Sequence, residues 1–197
     1  MVLVLWRRRP RALAMIVVSV TVALAVHVPL STLTEAYFPD HTPQQLAHFL
    51  SDFANYPLLY PHIRSWSVAE DWSNYSTWRY TVRYECGARC GGQAEVTHRR
   101  GGDSEAPSHS HSRVHRLLVH IKQCSRLPLL SWPQYCEESE VETQIVSGGG
   151  SSSEGRGALL VERTYEWCGA VRAAALRCAP HRHRMWHLQA LREALRS

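Results

Sequence analysis

The chain is 197 residues long and 45% hydrophobic, enough for one domain with a sizeable core and hardly two. Its net charge of +5 comes from 22 basic and 17 acidic residues, and many of the arginines crowd into residues 7–11 and 172–196. No basic stripe is interleaved with aromatics, which argues against nucleic acid as a partner.

Arg7-Arg-Arg-Pro-Arg precedes an uncharged apolar run from Ala12 to Val28. That is the layout of a secretory signal or a signal anchor, with residues 1–30 as the leader and 31–197 as the folded domain. Ala23-Leu-Ala25 offers a cleavage pattern; a retained run would form an N-terminal hydrophobic helix, anchor the chain in a membrane and leave the domain luminal or extracellular. A secreted domain follows if the run is cleaved. A mitochondrial presequence is the alternative, although such a segment should be amphipathic and this one is apolar all round.

Ser31 to Phe38 alternates and reads as a first strand. Thr42 is a good N-cap and Pro43 suits the first helical position, so a helix starts there, with Leu46, Phe49, Leu50 and Phe53 on one side. Asn55-Tyr-Pro57 ends it, and Pro61 redirects the chain into a strand from Ile63 to Glu70. Asn74-Tyr-Ser76 is a glycosylation sequon in the turn that follows.

Thr77 to Cys86 is the clearest strand, with Trp78, Tyr80, Val82, Tyr84 and Cys86 on one face and Arg79 and Arg83 on the other. A tight reversal through Gly87 and Gly91-Gly92 leads into Gln93 to Arg99. A polar loop over 100–112 comes next, then a strand from Val114 to Cys124 with Leu117, Val119 and Ile121 on one face. Glu138 to Val146 alternates Val141, Thr143 and Ile145 with Glu140, Glu142 and Gln144. Beyond a glycine and serine run over 147–157, the last strand spans Gly157 to Trp167; Leu159, Val161, Tyr165 and Trp167 fall on one side, Leu160, Glu162, Thr164 and Glu166 on the other. The end is helical from Gly169 to Leu195, with Met185, Leu188 and Leu191 in an apolar stripe, arginines opposite and a kink or break at Pro180.

The six cysteines fall in neighbouring pairs, Cys86 with Cys90, Cys124 with Cys136, and Cys168 with Cys178. The first two pairs flank hairpin ends and are candidate disulfides for an oxidising compartment, against six reduced thiols as the alternative. No nucleophile or phosphate-loop motif is present. The histidines of Ser108-His-Ser-His-Ser and His181-Arg-His183 lack zinc-site spacing, so neither metal nor cofactor is expected. Asp52 is read as a helix-end residue rather than an acid–base group.

The Thr42-Pro-Gln-Gln-Leu46 start, Asp52-Phe53-x-Asn55-Tyr56-Pro57, Pro61-His62-Ile63 and the terminal helix after Tyr165-x-Trp167 resemble the START-like, helix-grip superfamily. Polyketide cyclase and dehydrase-like proteins and coenzyme Q-binding START-type proteins belong to it. The resemblance implies an α+β fold in which a curved antiparallel sheet of about six to seven strands wraps a long C-terminal helix around an apolar cavity. The lining candidates are then Trp78, Tyr80, Tyr84, Leu117, Val119, Ile121, Val161, Tyr165, Met185 and Leu188, and the function they suggest is non-catalytic binding or transport of a lipid or other hydrophobic small molecule. A cyclase, dehydratase or hydrolase in the same cavity, needing a polar group on an inward face, and a structural or interaction domain with a filled core are the alternatives.

Overall fold

A computed structural model describes residues 14, 15, 18, 19, 26–74, 77–87, 90–100, 114–126, 134–148, 157–169 and 180–196. Two compact units divide the chain, Met1–Leu30 with Trp167–Ala179, and Ser31–Glu166 with Pro180–Ser197. In the first, the described residues are helical at 14, 15, 18 and 19, irregular at Val26, and strand ends elsewhere. Most of the apolar leader therefore lies outside the described residues, among which no helix is long and apolar enough to cross a membrane.

The class is α+β. Seven strands, β1 (His27–Phe38), β2 (Ser65–Asp71), β3 (Thr77–Glu85), β4 (Cys90–Arg100), β5 (His115–Arg126), β6 (Gln134–Ser147) and β7 (Ala158–Gly169), form one sheet in the order β1-β7-β6-β5-β4-β3-β2. From β2 to β7 each strand pairs antiparallel with the next, so a meander accounts for six of them. Helices α1 (Pro43–Ser51) and α2 (Tyr56–Leu59) follow β1, and α3 (Pro180–Ala194) follows β7.

Helix α1 begins as its sequence dictates. Thr42 accepts from the Gln45 N–H at 3.2 Å while the Gln45 side chain accepts from the Thr42 N–H at 3.0 Å, a reciprocal cap with Pro43 at the first position. The helix stops at Ser51, four residues before the Asn55 exit the sequence suggests. Asp52 turns extended, and its carboxylate accepts from the Ala54 N–H at 2.9 Å to start a single 3-10 turn, Phe53–Asn55. Pro57 then opens α2 instead of closing a helix, since its missing N–H costs nothing in a first turn.

Other boundaries move for similar reasons. Strand β1 starts at His27, inside the run assigned to the leader, and β2 starts at Ser65 because the Ile63 N–H is taken by the Tyr60 carbonyl. Strand β7 continues to Gly169, and α3 spans Pro180–Ala194. The rest of the expected Gly169–Leu195 helix, residues 170–179, lies outside the described residues.

The core gathers on one sheet face. Val82, Ala94, Val96, Leu117 and Val119 pack with Leu46, Leu50 and Phe53 from the α1 segment and Leu188 and Leu191 from α3. Full burial of side chains of this size contributes about 1.5–3 kcal/mol each. Tyr80 ties sheet to turn: its hydroxyl accepts from the Phe53 N–H at 2.9 Å and donates to the Ser51 carbonyl at 2.6 Å. Disulfides join Cys86 to Cys90 across the β3–β4 turn and Cys124 to Cys136, which sit directly opposite each other on β5 and β6. Cys178, of the third pair, is outside the described residues.

Candidate functional site

The inward face of β7 is the reverse of the one its apolar pattern suggests. Ala158, Leu160, Glu162 and Thr164 are buried, whereas Tyr165 is 38% exposed and Val161 is half-buried on the opposite face. Both faces of this strand carry apolar residues, so the pattern is ambiguous, and assigning the carboxylates to solvent settles it wrongly. Glu162 is 2% exposed because it has partners waiting inside.

Those partners come from three elements. Thr143 lies directly opposite on β6 and its hydroxyl donates to Glu162 Oε1 at 3.5 Å. Arg184 and His187, three residues apart on α3, share the face that carries Leu188 and Leu191; Arg184 Nη1 stands 3.6 Å from Oε2 and His187 Nε2 stands 3.6 Å from Oε1. The Tyr60 ring, just beyond α2, stacks on His187 at 5.3 Å. Arg184 thus does not join the solvent-facing arginines expected of α3.

Burial opposes the charge on Glu162, but hydrogen bonding from His187 and the charge of Arg184 outweigh it and hold the carboxyl below its ordinary value. Arg184 is also desolvated, and its tyrosine and glutamate neighbours more than compensate, so its guanidinium stays charged. Burial raises both Tyr60 and Tyr56, keeping them as neutral phenols. The result is a charge-balanced buried cluster whose contacts are long. Among the described residues, Glu162 Oε2 and His187 Nδ1 have no hydrogen-bond partner.

Glu162, Arg184, His187, Thr143, Tyr56 and Tyr60 close one side of a cavity of about 20 Å³ whose other walls are Leu50, Leu117, Val119, Ile121 and Val141. That volume holds roughly one water molecule. Leu117, Val119 and Ile121 are the sequence candidates found there. Tyr80 and Leu188 are buried in the surrounding core, Tyr84 hydrogen-bonds Gln123 at 3.3 Å, and Trp78 and Met185 are 39% and 51% exposed. Met185 precedes His187 by two positions, which turns it away from the buried side of α3.

A larger groove, about 670 Å³, runs over β2–β5 beside Ser65, Ser67, Arg83, Gly91, Gln93 and Lys122. Trp66, Tyr84 and Gly92 line it as well, and the groove shares no lining residue with the cavity. Among the described residues no group of three or more histidines, cysteines and carboxylates is placed to hold a metal. The histidines of 108–112 and the side chains of His181 and His183 are outside that set.

What sequence reading missed is thus the polar half of the site. Its one legible trace is the spacing of Arg184 and His187 with Leu188 and Leu191, which is that of a single helix face.

No family model and no curated protein matches the chain. Among solved structures it is similar to Mll3558 from Rhizobium loti at 14% identity, with 86% of this chain and 99% of that one covered and a TM-score of 0.47. It is similar to jhp0584 from Helicobacter pylori at 10% identity, covering 84% and 85%, with a TM-score of 0.47. The di-domain ARO/CYC StfQ of the steffimycin biosynthetic pathway aligns at 11% identity over 83% of this chain and 50% of that one, with a TM-score of 0.43. Likeness of this order bears on neither ligand nor activity.

Proposed function

We propose that the protein binds or carries a hydrophobic small molecule between the inner sheet face and helices α1 to α3. The observation that carries this reading is the cavity's composition: apolar walls on β5 and β6 meet a few convergent buried polar groups, two of whose atoms are unpartnered. Such a wall with a polar end suits a ligand that is greasy along its length and polar at one tip. At about 20 Å³ the cavity is too small for such a guest, so the guest enters as α3 moves off the sheet; the 3.6 Å spacing of its ionic contacts to β7 makes that helix the element to move.

The small volume itself favours a second reading, a structural or interaction domain whose core is filled. Native mass spectrometry of protein made in its own translocating host separates the two. The binding reading expects an apolar adduct released by organic extraction. The bare mass alone, together with no uptake of an apolar dye, would leave the filled core standing.

The two disulfides fit an oxidising compartment, and with the apolar leader they support a domain in or beyond the secretory route, membrane-anchored or secreted.

A further inference from the structure

Two buried atoms of the cluster, Glu162 Oε2 and His187 Nδ1, have no hydrogen-bond partner among the described residues. Glu162 Oε2 belongs to an ionised carboxylate and can only accept. Arg184 balances the charge of Glu162 from 3.6 Å, too long for a hydrogen bond to Oε2. His187 approaches the other oxygen, with Nε2 3.6 Å from Oε1. Both side chains line the same cavity and both are more than nine-tenths buried.

An acceptor left without a hydrogen bond calls for a donor. A carboxylate supplies none and would lie against the charge of Glu162, while Arg184 has no unbalanced charge left to recruit it. An ether or ester supplies none either. A hydroxyl does, and a cavity of about 20 Å³ has room for a single water in that part.

We propose that the group this site takes up is a neutral hydrogen-bond donor, a hydroxyl at the tip of an otherwise apolar molecule, selected over a carboxylate by Glu162. The inference rests on the binding reading above and adds the chemistry of the ligand's polar end.

Displacement of Nile red from the full disulfide-bonded chain at neutral pH tests it with three probes of one chain length: 1-decanol, decyl methyl ether and decanoate. The alcohol is expected to compete about tenfold or more better than either of the others, because only it can donate to Glu162 Oε2. In Glu162→Gln, which keeps the volume and removes the charge, the alcohol's advantage over decanoate should shrink severalfold. Ether or decanoate competing as well as the alcohol against the wild-type chain overturns the hydroxyl assignment and leaves binding intact. No Nile red uptake, with none of the three probes binding by calorimetry, overturns the binding reading beneath it. The wild-type ranking decides the matter even if the variant does not fold.

Discussion

Glu162 and Tyr80 show how single side chains set this fold's demands. Removing the carboxylate with Glu162→Ala leaves Arg184 charged and buried without its partner, and we expect a loss of about 3–5 kcal/mol in denaturant unfolding. The intact pair also dictates an acid response. Its carboxyl binds a proton less readily in the folded chain than at its ordinary value of 4.5, so the unfolded chain holds more protons in that window and stability rises with pH there. Stability contributed by Glu162 is therefore full above about pH 5 and disappears as pH falls through the lower native value. Urea midpoints measured across this range should slope for the wild type and flatten for Glu162→Gln; equal slopes would show that the pair is not linked to folding. Tyr80 makes a different demand. Tyr80→Phe keeps the packing but strands the buried Phe53 N–H and Ser51 carbonyl, which should cost about 1–3 kcal/mol with an unchanged denaturant slope.

At the scale of the element, the strands and the first helix were readable because one physical signal dominated each. Tyr80, Val82 and Tyr84 alternate with polar residues, and Thr42-Pro43 with Gln45 specifies a helix start through local hydrogen bonds. Strand β7 was not readable in the same way. Its buried charge is licensed by Arg184 and His187, more than twenty positions away in sequence, and no local rule weighs a partner at that distance. The Gly91-Gly92 pair is a case where sequence marks a turn and structure tells its members apart. A Cβ on Gly92 would meet the Tyr84 ring at 2.5 Å and the Lys122 carbonyl at 2.7 Å, and that carbonyl is fixed in a strand. On Gly91 it would approach only the Tyr84 carbonyl, at 3.4 Å. Gly92→Ala should therefore destabilise by about 1–3 kcal/mol and Gly91→Ala by well under half of that, measured by thermal unfolding of the two variants side by side.

For the whole molecule, the sheet order followed from meander logic, while the cavity's size could not, because a void depends on how side chains from six elements close together. Asn74 offers a direct reading of the compartment in which the domain folds. It is exposed in the β2–β3 connection; its side-chain Oδ1 accepts from the Thr77 N–H at 2.8 Å, and its own N–H donates to the Thr77 carbonyl at 2.8 Å. A glycan added there would project from a turn into water and disturb no core contact. If the apolar leader directs translocation, the chain made in secretory-competent cells should lose mass on treatment with an N-glycosidase, and Asn74→Gln should abolish that loss. The same material should show Cys124 linked to Cys136 in non-reducing peptide maps, since the two form opposite each other only where thiols are oxidised. An unglycosylated chain with alkylatable thiols, recovered from mitochondria, would reverse the assignment of compartment, because glycan and disulfides both require the same passage.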